Sequence, residues 1–195
     1  MSKKTYATPV GQAMYPRVHT PDTKFNPDGV YSCQIKVSEE DFNAFKAQLT
    51  PMIEQEYNKY CIAKGKDNLK RAMEPLRIND EGDYIINAKQ PAKVTTKSGE
   101  VLEFSIALYD ADVKPLEDGI TVGSGSKVRM SVQPYCWYVP SQGFGYTLKL
   151  KALQVLELVE YDASGHGFSK ESGFTQSESF EEVMVKDDNP EATDF

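Results

Sequence analysis

Apolar and polar positions alternate most cleanly over residues 30–37. Tyr31, Cys33, Ile35 and Val37 share one parity, and Ser32, Gln34 and Lys36 the other. That period of two predicts a half-buried strand. Residues 10–18 read as an earlier strand, with Pro16 near its end, and the turn-rich DTKFNPDG (22–29) as the connecting loop. At Ser38 the period changes. Ser38 is placed to cap a helix whose first turn holds Glu39, Glu40 and Asp41, where the helix dipole favours acids. Phe42, Phe45, Leu49, Met52, Ile53 and Tyr60 then recur at helical spacing as a core-facing stripe. Pro51 is expected to kink this helix or to begin a second one. From Pro75 onward the pattern is β, with strands expected at 84–89, 92–97, 100–110, 126–139 and 146–159, separated by glycine-bearing turns. Residues 160–175 are rich in Gly and Ser and read as an exit linker. The pattern predicts a small, mostly antiparallel barrel of short strands with one helical insertion.

The strand over 127–139 carries the most chemistry. Its even positions, Val128, Met130, Val132, Pro134, Cys136 and Tyr138, form a candidate core face. Its odd positions are Lys127, Arg129, Ser131, Gln133, Tyr135 and Trp137. In the expected hairpin partner, Leu148, Leu150 and Ala152 face in, while Thr147, Lys149 and Lys151 face out beside Arg129 and Tyr135. Cations next to flat rings suit single-stranded nucleic acid: the cations neutralise phosphates and release counterions, and the rings stack on unpaired bases. Two blander readings stand beside this one. The face could be a solvated sheet surface with scattered aromatics, or a bulge at Pro134 could turn Tyr135 and Trp137 under the helix. Phe144, between Gly143 and Gly145, is expected at a loop tip, either incidental to a hairpin turn or, the favoured reading, as a mobile stacking finger. Tyr15 and Arg17 on the first strand, and Lys24 and Phe25 in its loop, are further candidates. The basic run Lys64, Lys66, Lys70 and Arg71 reads as solvated surface.

Net charge changes the picture once it is partitioned. Of the −7 total, residues 176–195 carry −6, from seven acids and Lys186, which leaves −1 for residues 1–175. A near-neutral body can hold a local basic face, and a blockwise acidic tail reads as a disordered interaction element. The bare Phe195 at its end, near Asp187, Asp188, Glu191 and Asp194, offers spaced acids and a ring that copy phosphates and a base. The expected division is a binding domain over 1–172 and a disordered acidic tail over 173–195.

Catalytic and metal-binding signatures are missing. His19 and His166 are each isolated from Cys or His at metal-ligand spacing, and no metal or cofactor is expected. The segment GSGSK (123–127) lacks phosphate-loop spacing and leads into a strand, so it reads as a turn. Cys33, Cys61 and Cys136 are an odd, widely spaced set expected to be reduced. There is no apolar run of membrane-spanning length and no secretory leader pattern at the start.

The segments GQAMYPRVHTPDTKFNPDGVYSCQIKV, GSKVRMSVQPYCWYV with GFGYTLKLKALQVLELVEY, and the acidic ending in DF together resemble the phage single-stranded DNA-binding proteins of the T-seven type. The likeness spans most of residues 8–161 and the extreme C-terminus. It implies an OB-fold, a five-stranded Greek-key barrel that binds oligonucleotides across one face and its loops. It also implies a non-enzymatic role in phage DNA replication, recombination and repair in the host cytoplasm. The acidic tail would contact polymerase and helicase-primase and compete with DNA for the groove. A homodimer is left open. The alternative from another class is a protein-interaction module, with the barrel as scaffold and the tail docking a basic partner; a carboxylate-metal nuclease is a remoter third.

Overall fold

The structure, a computed structural model, describes residues 4–160. The tail residues Asp187, Asp188, Glu191, Asp194 and Phe195, the expected disorder of the tail and the 172/173 boundary therefore lie outside the described residues. The elements in chain order are β1 (Tyr6–Ala7), β2 (Gly11–Asp22), β3 (Val30–Val37), α1 (Glu39–Lys64), β4 (Leu76–Ile78) and β5 (Tyr84–Pro91). They continue with β6 (Lys93–Thr95), β7 (Val101–Glu103), β8 (Ala107–Tyr109), β9 (Lys127–Val139) and β10 (Gly143–Glu157).

Five strands close a barrel in the order β9-β2-β3-β5-β10, with β10 returning to β9 through the long hairpin. This is the expected OB-type architecture, with accessory strands β1, β4 and β8 at its margins and β6–β7 as a separate ribbon. Not every barrel pairing is antiparallel. β5 and β10 run parallel, with Leu148 opposite Ala88 and Lys149 opposite Lys89. A closed ring of five strands cannot alternate direction all the way round, so one neighbouring pair must be parallel. β8 also adds to β10 in the parallel sense.

The alternating positions fill the core as expected. Cys33, Ile35 and Val37 of β3, Ile86 and Ala88 of β5, Val128, Met130 and Val132 of β9, and Leu148 and Leu150 of β10 are buried. Burial pushes the Cys33 thiol up to about 12, as the apolar interior disfavours the thiolate. All three cysteines are free.

The helix is a single 26-residue element, and Pro51 neither ends nor divides it. Pro51 lies on the exposed side, while Phe42, Phe45, Leu49, Ile53, Tyr57 and Cys61 form an unbroken buried stripe. Tertiary packing of that stripe outweighs the one backbone hydrogen bond that proline forfeits. Ser38 caps the start as expected, its Oγ accepting from the Asp41 N–H at 3.1 Å. Gly65, at φ 62°, ends the helix, where a left-handed residue is needed and glycine adopts it without steric cost. The helix packs on β5, β9 and β10, with Phe42 against Tyr84, and Tyr60 against both Tyr138 and Phe144.

Several strands differ from the sequence reading: β1 and β4 are additional, and β2 runs on to Asp22, so that Pro16 lies within it rather than near its end. The segment 100–110 is broken at Phe104–Ile106, where pairing passes from β6–β7 to β8–β10. β10 begins at Gly143, three residues earlier than expected, so the hairpin turn is only Pro140, Ser141 and Gln142. Residues 123–126 are a turn, as read: Gly125 N–H donates to the Ala13 carbonyl and Ala13 N–H to that of Ser126.

Candidate nucleic-acid interface

The outer face of β9 keeps its parity along the whole strand. Pro134 pairs in register with Leu148 and introduces no slip. Tyr135 is exposed and Trp137 half-buried on the outside; Tyr138, of the opposite parity, lies under the helix, stacked on Tyr60. The Lys149 Nζ stands 4.2 Å from the centre of the Tyr135 ring, a cation–π contact that orders both side chains. The Trp137 Nε1 donates to Thr147 Oγ1 at 3.1 Å. Its ring lies over Gly145, where a Cβ would come within 2.6 Å of it. Gly145 is thus required so that the indole can rest on bare backbone, which pins the ring as a platform.

Register then assembles residues from five strands. Gln133 is opposite Lys149, Lys149 is beside Lys89, Lys89 is opposite Ser32, and Ser32 is opposite Arg17. This row crosses the barrel face from β9 to β2. Neighbouring strands are about 4.8 Å apart, so Lys149 and Lys89 project side by side. Like charges so placed repel each other, and an anion laid across them relieves the repulsion. Among the described residues Arg17 and Lys89 make no ion pair. One row along, Tyr135 faces Thr147, and Asn87 faces Gln34 on the next strand pair. The loop between β2 and β3 borders the same face and holds Phe25 at 89% exposure, with the Lys24 Nζ 5.4 Å from its ring centre.

Not every sequence candidate belongs to this surface. Phe144 is not a stacking finger: it is 2% exposed and edge-on to Tyr57, its N–H donates to the Lys70 carbonyl, and its carbonyl accepts from the Ala72 N–H. Because β10 starts at Gly143, Phe144 falls on the same inward parity as Tyr146 and Leu148. Lys151 is displaced by a bulge, because β10 shifts register between Leu150 and Ala152. Lys151 reaches toward Phe104 instead, at 5.9 Å, and the inward residues beyond the bulge are Leu153 and Val155 rather than Ala152. Lys127 is ion-paired with Glu157 at 2.7 Å. Arg129 is exposed opposite Gln154, on the outer face but away from the lysine row. Tyr15 is 75% exposed beside Arg17.

Lys89 went unseen in the sequence. The alternation of Ile86, Ala88 and Gln90 marks it as outward, but only the β5–β10 pairing brings it to Lys149. The basic run after the helix is partly engaged: Arg71 makes two hydrogen bonds to Glu54, at 3.0 and 2.7 Å, and Lys64 lies over Tyr138. Among the described residues no three His, Cys, Asp or Glu side chains cluster as a metal cage, and no helix is long and apolar enough to cross a membrane.

Comparison with known proteins places this geometry. The chain is 24% identical to the single-stranded DNA-binding protein of Escherichia phage T7, over 96% of this chain and 92% of that one. It superposes on the crystal structure of gp2.5, a single-stranded DNA-binding protein encoded by bacteriophage T7, with a TM-score of 0.71 at 19% identity, covering 89% of this chain and 99% of the other. A more distant likeness is to the single-stranded DNA-binding protein of bacteriophage Enc34 in complex with single-stranded DNA, with a TM-score of 0.59 at 15% identity, covering 82% of this chain and 89% of that one. The family profile described as single-stranded DNA-binding protein, bacteriophage T7, matches residues 10–159, and the chain belongs to that family.

Proposed function

We propose that this protein coats single-stranded DNA without reading its sequence, in phage DNA replication, recombination and repair, and that it does so as a binding protein and not an enzyme. The observation that carries the reading is the row of Arg17, Lys89 and Lys149 across the face of a five-stranded barrel, flanked by Tyr135 and the pinned Trp137. The three cations neutralise phosphates, and the two rings receive unstacked bases at about 1–3 kcal/mol per base. Arg129 extends the positive face along β9. The rings and hydroxyls here distinguish no base and no 2′-hydroxyl, which suits a coating protein.

The acidic residues 176–195 are opposite in charge to this surface, and Phe195 adds a ring of the kind a base would present. In our reading they compete with DNA for the face and recruit replication proteins once displaced. The binding domain spans 1–172 and the tail 173–195, working in the host cytoplasm.

The test is a fluorescence titration with oligo-dT, read at Trp137, the only tryptophan. Quenching should weaken with salt at a log–log slope of about −2, the value for three phosphates on a single strand. Deleting residues 176–195 should tighten binding and abolish contact with replication proteins. No quenching and no retention on single-stranded DNA at low salt, with or without the tail, would sink the reading and leave the interaction-module alternative.

A further inference from the structure

The face described above ends at Arg17, and beyond it the barrel opens. β2 pairs with β9 only at Gly11 and Gln12. Past that point β2 runs beside the loop that enters β9, and the two enclose a cleft of about 360 Å³. Tyr15, Arg17 and His19 line it from β2, and Thr121 and Ser124 from the loop.

The β2 wall has an uncommon construction. Met14 is opposite Gln34 and Arg17 opposite Ser32, so three steps along β2 match two along β3. Pro16, which has no N–H for the ladder, lies in this bulge. Tyr15 is held at φ 48°, a left-handed conformation that a bulky residue adopts only when its surroundings impose it. Its N–H donates to Ser124 Oγ at 3.0 Å, which ties the bulge to the opposite wall. A strained residue whose ring is left 75% exposed is poor design for stability alone, and such outliers gather where a ligand is held. Next to it, the His19 Nε2 accepts from the Val122 N–H at 3.1 Å. The ring is therefore the neutral tautomer with its hydrogen on Nδ1, a donor at the cleft.

We propose that this cleft is a nucleobase pocket at the β2 end of the DNA path. Arg17 belongs to both features: it closes the cation row and lines the cleft. A strand following the row brings a phosphate to Arg17 and its next base to the cleft mouth. There the Tyr15 ring stacks on the base, and the His19 Nδ1–H with the Thr121 hydroxyl meets its polar edge. The cations and rings of the row hold phosphates and base faces, and the cleft is where one base of the bound strand is held by its edge. This rests on the single-stranded DNA reading and adds a terminal base site to it.

The test uses the full chain with Tyr15→Gly. Glycine accepts the positive φ freely, so the variant loses the ring without threatening the fold. Binding is measured on oligo-dT that just fills the footprint, with one abasic nucleotide scanned through it. The wild type should show an abasic penalty at one terminal position. Tyr15→Gly should bind intact oligo-dT about tenfold more weakly and show no penalty at that position, while penalties elsewhere persist. Wild-type affinity in Tyr15→Gly, or an equal loss at every position, would overturn the pocket and leave the DNA-binding face standing. Failure of the wild type to bind single-stranded DNA would overturn both, so the two failures are distinguishable.

Discussion

The β9–β10 hairpin presents aromatic residues on two faces, and the two sets have opposite fates. Tyr135 and Trp137 stay outside, one ordered by Lys149 and the other laid on Gly145. Tyr138 and Phe144, which pair directly with each other, turn inward against Tyr57 and Tyr60 of the helix. Neighbours one residue apart thus serve binding and stability separately. An aromatic residue in a strand therefore has no role of its own; parity assigns it a face, and whatever packs on that face assigns the role.

Phe144 separates the two faces most strongly. Phe144→Ala should cost about 3–5 kcal/mol of stability, as for other large core truncations, measured by urea denaturation. Tyr135→Ala should shift the same curve by no more than about 0.5 kcal/mol. If the two variants were equally destabilised, the assignment of faces would be wrong. In DNA binding the order should invert: Tyr135→Ala should lose about 1–3 kcal/mol of affinity for oligo-dT, measured by anisotropy.

The cations repeat the contrast with smaller effects. Lys89→Ala should reduce the salt slope by about 0.7, one phosphate's share on a single strand. Lys127→Ala should leave it unchanged, because Lys127 is occupied by Glu157. Equal slopes in both variants would argue against the row as the phosphate path. The smallest effect concerns pH. Burial lowers the His19 pKa from 6.5, so the folded state prefers the neutral ring that accepts from Val122. Its contribution is present above 6.5 and fades as pH falls through the lowered value. Wild type should lose thermal stability relative to His19→Gln only below 6.5; a difference that grew with rising pH would contradict this.

Much of this was legible along the chain because it is local. The alternation in β3 and β9, the Ser38 cap and the helical stripe follow from side-chain period and capping chemistry within a few residues. The β9–β10 hairpin was legible too, since its strands are neighbours in sequence. The misreadings each involve something the period alone does not contain. The glycines flanking Phe144 suggest a turn, but Gly145 is the space that the Trp137 ring occupies. Ala152 is expected inward, but the bulge after Leu150 inserts one residue and passes the inward parity to Leu153 and Val155. Of the two readings of Pro51, a second helix beginning there is the one the structure overturns: proline's cost is local, while the burial that offsets it is spread over six side chains.

Local pattern in the chain is enough for most of the elements, the barrel class, the outward chemistry of β9 and the partition of charge between residues 1–175 and 176–195. Each depends on residues close in the chain. Which cations form a row is set by long-range pairing, since Arg17, Lys89 and Lys149 belong to three strands separated by a helix and several loops. Their meeting is a matter of register between distant strands. Closure of five strands requires one parallel pair; here that pair is β5 and β10, and its register sets Lys89 beside Lys149.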